Sequence, residues 1–176
     1  MDVDTREKEK GVLLRRMTPF QVTVTLLLVL VVLAAVYMGS WGSYGAPVSA
    51  RRAACLSNLK QDAQAALLYS EDHDGVCPPA AWMDAIEPHL KTPELLHCPG
   101  VRRENDSVFG YALHARMVGG NLDDVKQPET TPLIFDSTLL TRNAVGTLAT
   151  LPAPPRHGGS NCIAYADGHA KATMRK

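Results

Sequence analysis

Between Met17 and Ala50 the chain carries no charged residue, and Phe20 to Met38 is an almost unbroken run of Val, Leu and Ala. A helix rises about 1.5 Å per residue, so about 20 apolar residues cross a bilayer core roughly 30 Å thick. The nineteen residues of the run meet that length. Thr23 and Thr25 interrupt it only mildly, because a hydroxyl in a helix bonds back to a carbonyl one turn earlier. Tyr37 and Trp41 stand at the far end, where amphipathic rings favour the interface. Arg15 and Arg16 abut the near end and favour a cytoplasmic N-terminus, a bias that Arg51 and Arg52 beyond the far end reduce. The pattern predicts a charged cytoplasmic tail over 1–16, a transmembrane helix over 17–40 and a Gly/Pro joint over 41–48. The lipid bilayer is the first expected partner. A buried core helix is disfavoured, since such helices are rarely apolar all round. A cleaved secretory signal ending near Val48-Ser49-Ala50 is the stronger rival, but the run exceeds the usual apolar length of about 7–15 residues.

From Ser49 the period becomes helical. Leu56, Leu59, Ala63, Ala66, Leu67 and Ser70 recur at three- and four-residue steps, and Lys60, Gln61, Asp62 and Gln64 fall on other faces. A helix is predicted over 49–72, with Gly75 as its stop. A shorter one is predicted over 81–90, burying Trp82, Ile86 and Leu90. Beyond Cys98-Pro99-Gly100 the pattern turns to strands, over 108–114, 131–136, 161–166 and 169–173. Asp167-Gly168 between the last two reads as a two-residue hairpin turn. Residues 151–155, with three prolines, read as a loop. The fold class is α+β, with residues 49–176 forming a long helix packed on a small antiparallel sheet.

Charge excludes one function class. Basic and acidic residues number 18 each over the chain, and 13 and 14 from Pro47 onward. Nucleic-acid binding needs a concentrated positive surface, and the sequence offers none.

Candidate chemistry is sparse. His157, Asp167 and His169 are able to converge as metal ligands or an acid/base set, with Asp136 in reach. The competing structural reading, a tight Asp-Gly turn and a Gly158-Gly159 loop steadied by a histidine, is preferred. Asp72, Asp74 and Gly75 resemble the opening of a calcium loop but lack its downstream Glu. Ser160 has no nucleophile-elbow context. Cys55, Cys77, Cys98 and Cys162 all lie beyond the apolar run, in a compartment that permits disulfides. Cys77–Cys98, closing a loop around the short helix, is the first expected pair and Cys55–Cys98 the second; buried free thiols are the alternative. No Cys-x-x-Cys pair occurs, so zinc is not expected. No catalytic residue, metal or cofactor is assigned.

Two stretches carry a family resemblance. One is Cys55-Leu56-Ser57-Asn58-Leu59-Lys60-Gln61 with Tyr69, Asp72, Asp74-Gly75, Pro78-Pro79, Trp82, Leu90 and Leu96-His97-Cys98-Pro99. The other is His157-Gly158-Gly159, Asn161 and Ala166-Asp167-Gly168-His169, in which nine residues separate His157 from Asp167-Gly168. Together they resemble type IV pilin-like, or pseudopilin, proteins of the planctomycete type over residues 49–173. In that comparison Phe20 stands at the position of the family's Phe. Pro19 precedes it in place of Gly, and Val24 occupies the position of the Glu that assists docking. The resemblance implies a non-enzymatic, membrane-anchored structural or assembly protein of a type II secretion or type IV pilus-like system. Its partners would be other pilin-like or secretion-system subunits. A tethered module recognising a protein or glycan is the alternative, and a metal-dependent hydrolase centred on His157, Asp167 and His169 comes third.

Overall fold

The computed structural model describes residues 18–41, 47–102 and 105–174, without the side chains of 38–41. The expected tail 1–16, with Arg15 and Arg16, and the joint residues 42–46 lie outside the described residues, as does the side chain of Trp41. The chain divides into two units, Met1–Gly45 and Ala46–Lys176.

In the first unit, α1 spans Pro19–Trp41. Its start is a reciprocal cap: Gln21 N donates to Thr18 Oγ1 at 3.3 Å, and Thr18 N donates to Gln21 Oε1 at 3.1 Å. Pro19 sits at the first helical position, where a missing N–H costs nothing. Thr23 and Thr25 donate to carbonyls one turn back, Thr23 to Phe20 at 2.8 Å and Thr25 to Gln21 at 2.9 Å. Pro19–Tyr37, 19 residues and about 28 Å of helix, is long and apolar enough to cross a membrane. Its side chains are exposed along their length, Leu30 by 64 %.

In the second unit, α2 runs Val48–Glu71 and α3 Trp82–Ile86, the latter continued by a 3₁₀ turn Glu87–His89. α2 ends where Asp74 and Gly75 turn left-handed, at φ 53° and 82°, and Gly75 N donates to Ser70 O at 2.9 Å. The strands are β1 (Tyr111–His114), β2 (Pro132–Asp136), β3 (Val145–Gly146), β4 (Ser160–Tyr165) and β5 (Ala170–Met174). The sheet order is β3-β1-β2-β4-β5. The pairings β1–β2, β2–β4 and β4–β5 are antiparallel as expected, but β3 joins β1 in parallel, so the sheet is mixed. Two residues carry no readable period, which is why β3 escapes the sequence.

α2 lies on β2, β4 and β5. Its buried positions are Cys55, Leu59, Asp62, Ala63, Ala65, Ala66 and Ser70. Leu56 and Leu67 of the expected stripe are only half-buried, and Asp62, expected outside, is fully inside. Trp82, Met83 and Ile86 cap the same core, and the Trp82 indole donates to Ala144 O at 2.9 Å. Ala112, Phe135, Ala144 and Ile163 form a second, smaller cluster. Alternation along the strands puts it on the other face of the sheet, since Ala112 is flanked by Tyr111 and Leu113 of the main core.

The β4–β5 connection is not a two-residue turn. Gly168 N donates to Tyr165 O and Tyr165 N to His169 O, both at 2.9 Å, which encloses Ala166-Asp167-Gly168. Gly168 alone takes positive φ, 85°, as a three-residue loop closed by a left-handed bulge requires.

Candidate functional site

Four side chains from four separate segments meet beside α2. Cys55 is presented by the buried face of α2. Cys98 follows the 3₁₀ turn Pro93–Leu96 and is fixed by its own N–H to Phe109 O at 2.9 Å. Asp136 ends β2 opposite Tyr111. His157 opens the loop into β4, closed by His157 N to Ser160 O at 2.9 Å and Ser160 Oγ to His157 O at 3.1 Å. That loop needs Gly158 and Gly159 at φ 64° and 89°, and a Cβ at Gly158 would stand 2.8 Å from Val48. The imidazole also needs Gly100, where a Cβ would come within 2.5 Å of its Cε1.

One donor atom from each residue, two Sγ, a carboxylate oxygen and an imidazole nitrogen, all lie within 4.8 Å of one another. Asp136 Oδ1 is 3.5 Å from Cys55 Sγ and 3.4 Å from Cys98 Sγ. His157 Nε2 is 3.5 Å from Cys98 Sγ and 3.3 Å from Asp136 Oδ2. Every member is at most 1 % exposed. A surrounding layer holds them: Tyr111 Oη donates to Cys55 Sγ at 3.4 Å, and Cys162 N donates to Asp136 Oδ2 at 2.7 Å. Arg156 places Nη1 3.6 Å from Asp136 Oδ1 while donating to Gly110 O at 3.0 Å and Ser137 O at 2.6 Å.

The electrostatics are those of a proton-sharing pocket. Burial, then hydrogen bonding with Cys162 and Cys98, pushes the Cys55 thiol up. The Cys98 thiol is lowered to about 6, chiefly by its hydrogen bond with Cys55 and further by His157, against the opposing effect of burial. Burial disfavours the His157 imidazolium, but hydrogen bonds to Asp136 and Cys98 outweigh it and carry the group up to about 10. Thiolate, imidazole and carboxylate in one dry pocket form a donor set for a tetrahedral cation.

Of the residues in the stretch 157–169, only His157 enters this cluster. Asn161 braces the approach to it, accepting from Arg156 N and donating to Pro152 O, both at 3.0 Å. Asp167 and His169 turn on each other instead, Nδ1 to Oδ1 at 2.6 Å, with the His169 ring stacked on Tyr165. Thus the structure does not assemble a His157–Asp167–His169 set, and His169 steadies the Asp-Gly turn through the Asp167 carboxylate. Nor is Cys77 bonded to Cys98. All four cysteines are buried free thiols. The Cys98 sulfur is directed at Cys55, Asp136 and His157, while Cys77 is anchored elsewhere through its N–H to Gly120 O at 2.7 Å. The absence of Cys-x-x-Cys does not bear on this cluster, because its four side chains are brought together by tertiary contact rather than by local spacing. No family model, no curated protein and no solved structure matches the chain.

Proposed function

We propose that the chain is a membrane-anchored, non-enzymatic structural or assembly protein of the pseudopilin kind. Its α+β domain stands outside the cytoplasm and acts beside a type II secretion or type IV pilus-like apparatus. The observation that carries this reading is α1, an exposed apolar helix of membrane length placed ahead of a domain in which one long helix covers a sheet. Burial of an all-apolar helix of this length in lipid removes the exposed surface that water would penalise. The burial of Cys55, Cys98, Asp136 and His157 supports a structural role, since a catalytic centre keeps one position open to substrate. Val24, in place of a carboxylate inside the apolar helix, favours a subunit that stays anchored.

The decisive experiment combines membrane fractionation with determination of the mature N-terminus and in-cell crosslinking. The expected result is an integral membrane protein that retains α1 and crosslinks to pilin-like or secretion subunits. A soluble product beginning near Ala50, or crosslinks confined to a surface ligand, overturns the reading.

A further inference from the structure

We propose that Cys55, Cys98, Asp136 and His157 form a closed, tetrahedral Zn²⁺ site that staples the domain together. The inference is independent of any assembly role and stands on the geometry of the second unit alone.

The distances suit four ligands around one metal ion. With Zn–S near 2.3 Å and Zn–N or Zn–O near 2.0–2.1 Å, a tetrahedron has edges of about 3.3–3.4 Å between N and O and about 3.5–3.6 Å between S and N or O. The corresponding contacts are 3.5 Å for Cys98–His157 and, through Asp136 Oδ1, 3.4 Å to Cys98 and 3.5 Å to Cys55, while His157 Nε2 stands 3.3 Å from the other carboxylate oxygen, Oδ2. One donor atom from each of the four groups lies within 4.8 Å of the other three, close enough to share one centre.

The donor set selects the ion. Two sulfurs and an imidazole exclude Mg²⁺ and Ca²⁺, which take oxygen. Fe–S clusters are held by four cysteines or, in Rieske centres, by two cysteines and two histidines, and a set of two Cys, one Asp and one His is neither. Mixed sulfur and nitrogen in a tetrahedron suits Zn²⁺. Charge closes as well. Two thiolates and one carboxylate give three negative charges, the ion two positive, and Arg156 at 3.6 Å supplies the last positive charge. The surrounding hydrogen bonds are those that orient metal ligands: Tyr111 to Cys55, and the Cys162 N–H to the Asp136 oxygen Oδ2, which leaves Oδ1 beside both sulfurs. With all four ligands at most 1 % exposed, no coordination position faces solvent, so the ion is structural. It joins α2, the Cys98 turn, the end of β2 and the loop before β4, positions 81, 38 and 59 residues apart along the chain. Such a tie does for the fold what a disulfide would do.

The test is elemental analysis of full-length protein purified from membranes in detergent, with thiol counting by mass spectrometry on the same sample. The expected result is one equivalent of zinc and four unoxidised cysteines. Cys77→Ser retains the metal, whereas Cys98→Ser loses it, and Tyr111→Phe weakens affinity by about 10–100-fold. Because a ligand variant also risks misfolding, Co²⁺ exchanged into the wild-type protein is the second measurement. Intense visible bands of tetrahedral cobalt with thiolate charge transfer support the site. Only trace metal, a Cys55–Cys98 disulfide, or the weak bands of octahedral cobalt overturn it.

Discussion

Arg156→Met tests the electrostatic frame of the cluster most directly. The Arg156 guanidinium is 12 % exposed, donates to Gly110 O and Ser137 O at 3.0 and 2.6 Å, and faces the fully buried Asp136 carboxylate at 3.6 Å. Met preserves much of the apolar stem but removes all three interactions. The Ser137 carbonyl left without its guanidinium donor costs about 1–3 kcal/mol, Gly110 O keeps the Ser137 N–H at 2.9 Å, and a buried charge stripped of a partner costs about 3–5 kcal/mol. These losses overlap, because one guanidinium serves all three groups, so the expected destabilisation is ~4 kcal/mol, a large share of a total stability of roughly 5–15 kcal/mol. For a domain of this size that lowers Tm by about 15 °C. Arg156→Lys keeps the charge but not the planar fork, and about half the loss is expected. Trp41 of the apolar segment also fluoresces, so urea unfolding followed by circular dichroism reads the effect. The double variant supplies the control: in an Asp136→Asn background the cost of Arg156→Met should shrink by at least about 1 kcal/mol. A single-variant cost under about 0.5 kcal/mol, the range of a surface change, or strict additivity of the pair, refutes the claim that Arg156 neutralises Asp136.

Three further outcomes are expected. Trp82→Phe keeps most of the ring's packing and removes the indole donor at 2.9 Å from Ala144 O, which retains the Leu113 N–H at 3.0 Å, so the urea midpoint read by circular dichroism should fall by the equivalent of about 0.5–1.5 kcal/mol. Gly100→Ala drives a methyl to 2.5 Å from the His157 ring and should cost about 1–3 kcal/mol, whereas Gly120→Ala, with its nearest neighbour at 3.4 Å, should cost less than half as much in the same assay. Asp62 is buried with neither carboxylate oxygen hydrogen-bonded, and burial raises its pKa well above the ordinary value. The folded state then holds the proton that the unfolded chain releases near pH ~3.9. Stability therefore falls as pH rises above ~4, by up to about 1.4 kcal/mol per pH unit, and levels off above the folded-state pKa. Asp62→Asn should remove that slope, and identical slopes in the two proteins, from urea midpoints measured across the range, refute the assignment.

Much of the fold was legible because long elements repeat their signal. α1 is written in composition, and α2 in a helical period over more than six turns, with Gly75 marking its end. Strands β1, β2, β4 and β5 are anchored by β-branched and aromatic residues. What escaped is short or set by partners. β3 exists because β1 has a free edge beside it, and the hairpin loop is three residues because Gly168 alone adopts the left-handed conformation. Asp62 was placed outside because a carboxylate reads as solvated, yet its position seven residues after Cys55 and three after Leu59 keeps it on the buried face.

Asp62 and Asp136 show where a buried charge marks chemistry and where it is only a cost. Both are fully buried carboxylates. Asp62 has no hydrogen-bonding neighbour, so the proton that burial forces on it is its only compensation. Asp136 instead receives a backbone N–H, a guanidinium, an imidazole and two thiols from elements spread across the domain. Burial alone cannot distinguish the two; convergence does. Sequence reading could name His157 from the His-Gly-Gly stretch and Cys98 from Cys-Pro-Gly. It offered Cys55 as a second partner for Cys98 and Asp136 in reach of His157, but not the four as one cluster, because the order β1-β2-β4 that brings the end of β2 beside the start of β4 is a property of the folded sheet. The cluster therefore forms only when the sheet closes against α2, and any ion it binds favours the folded state over the unfolded one. Metal uptake and folding of this domain are then one equilibrium, and removing zinc with a chelator should lower the Tm of the wild-type protein.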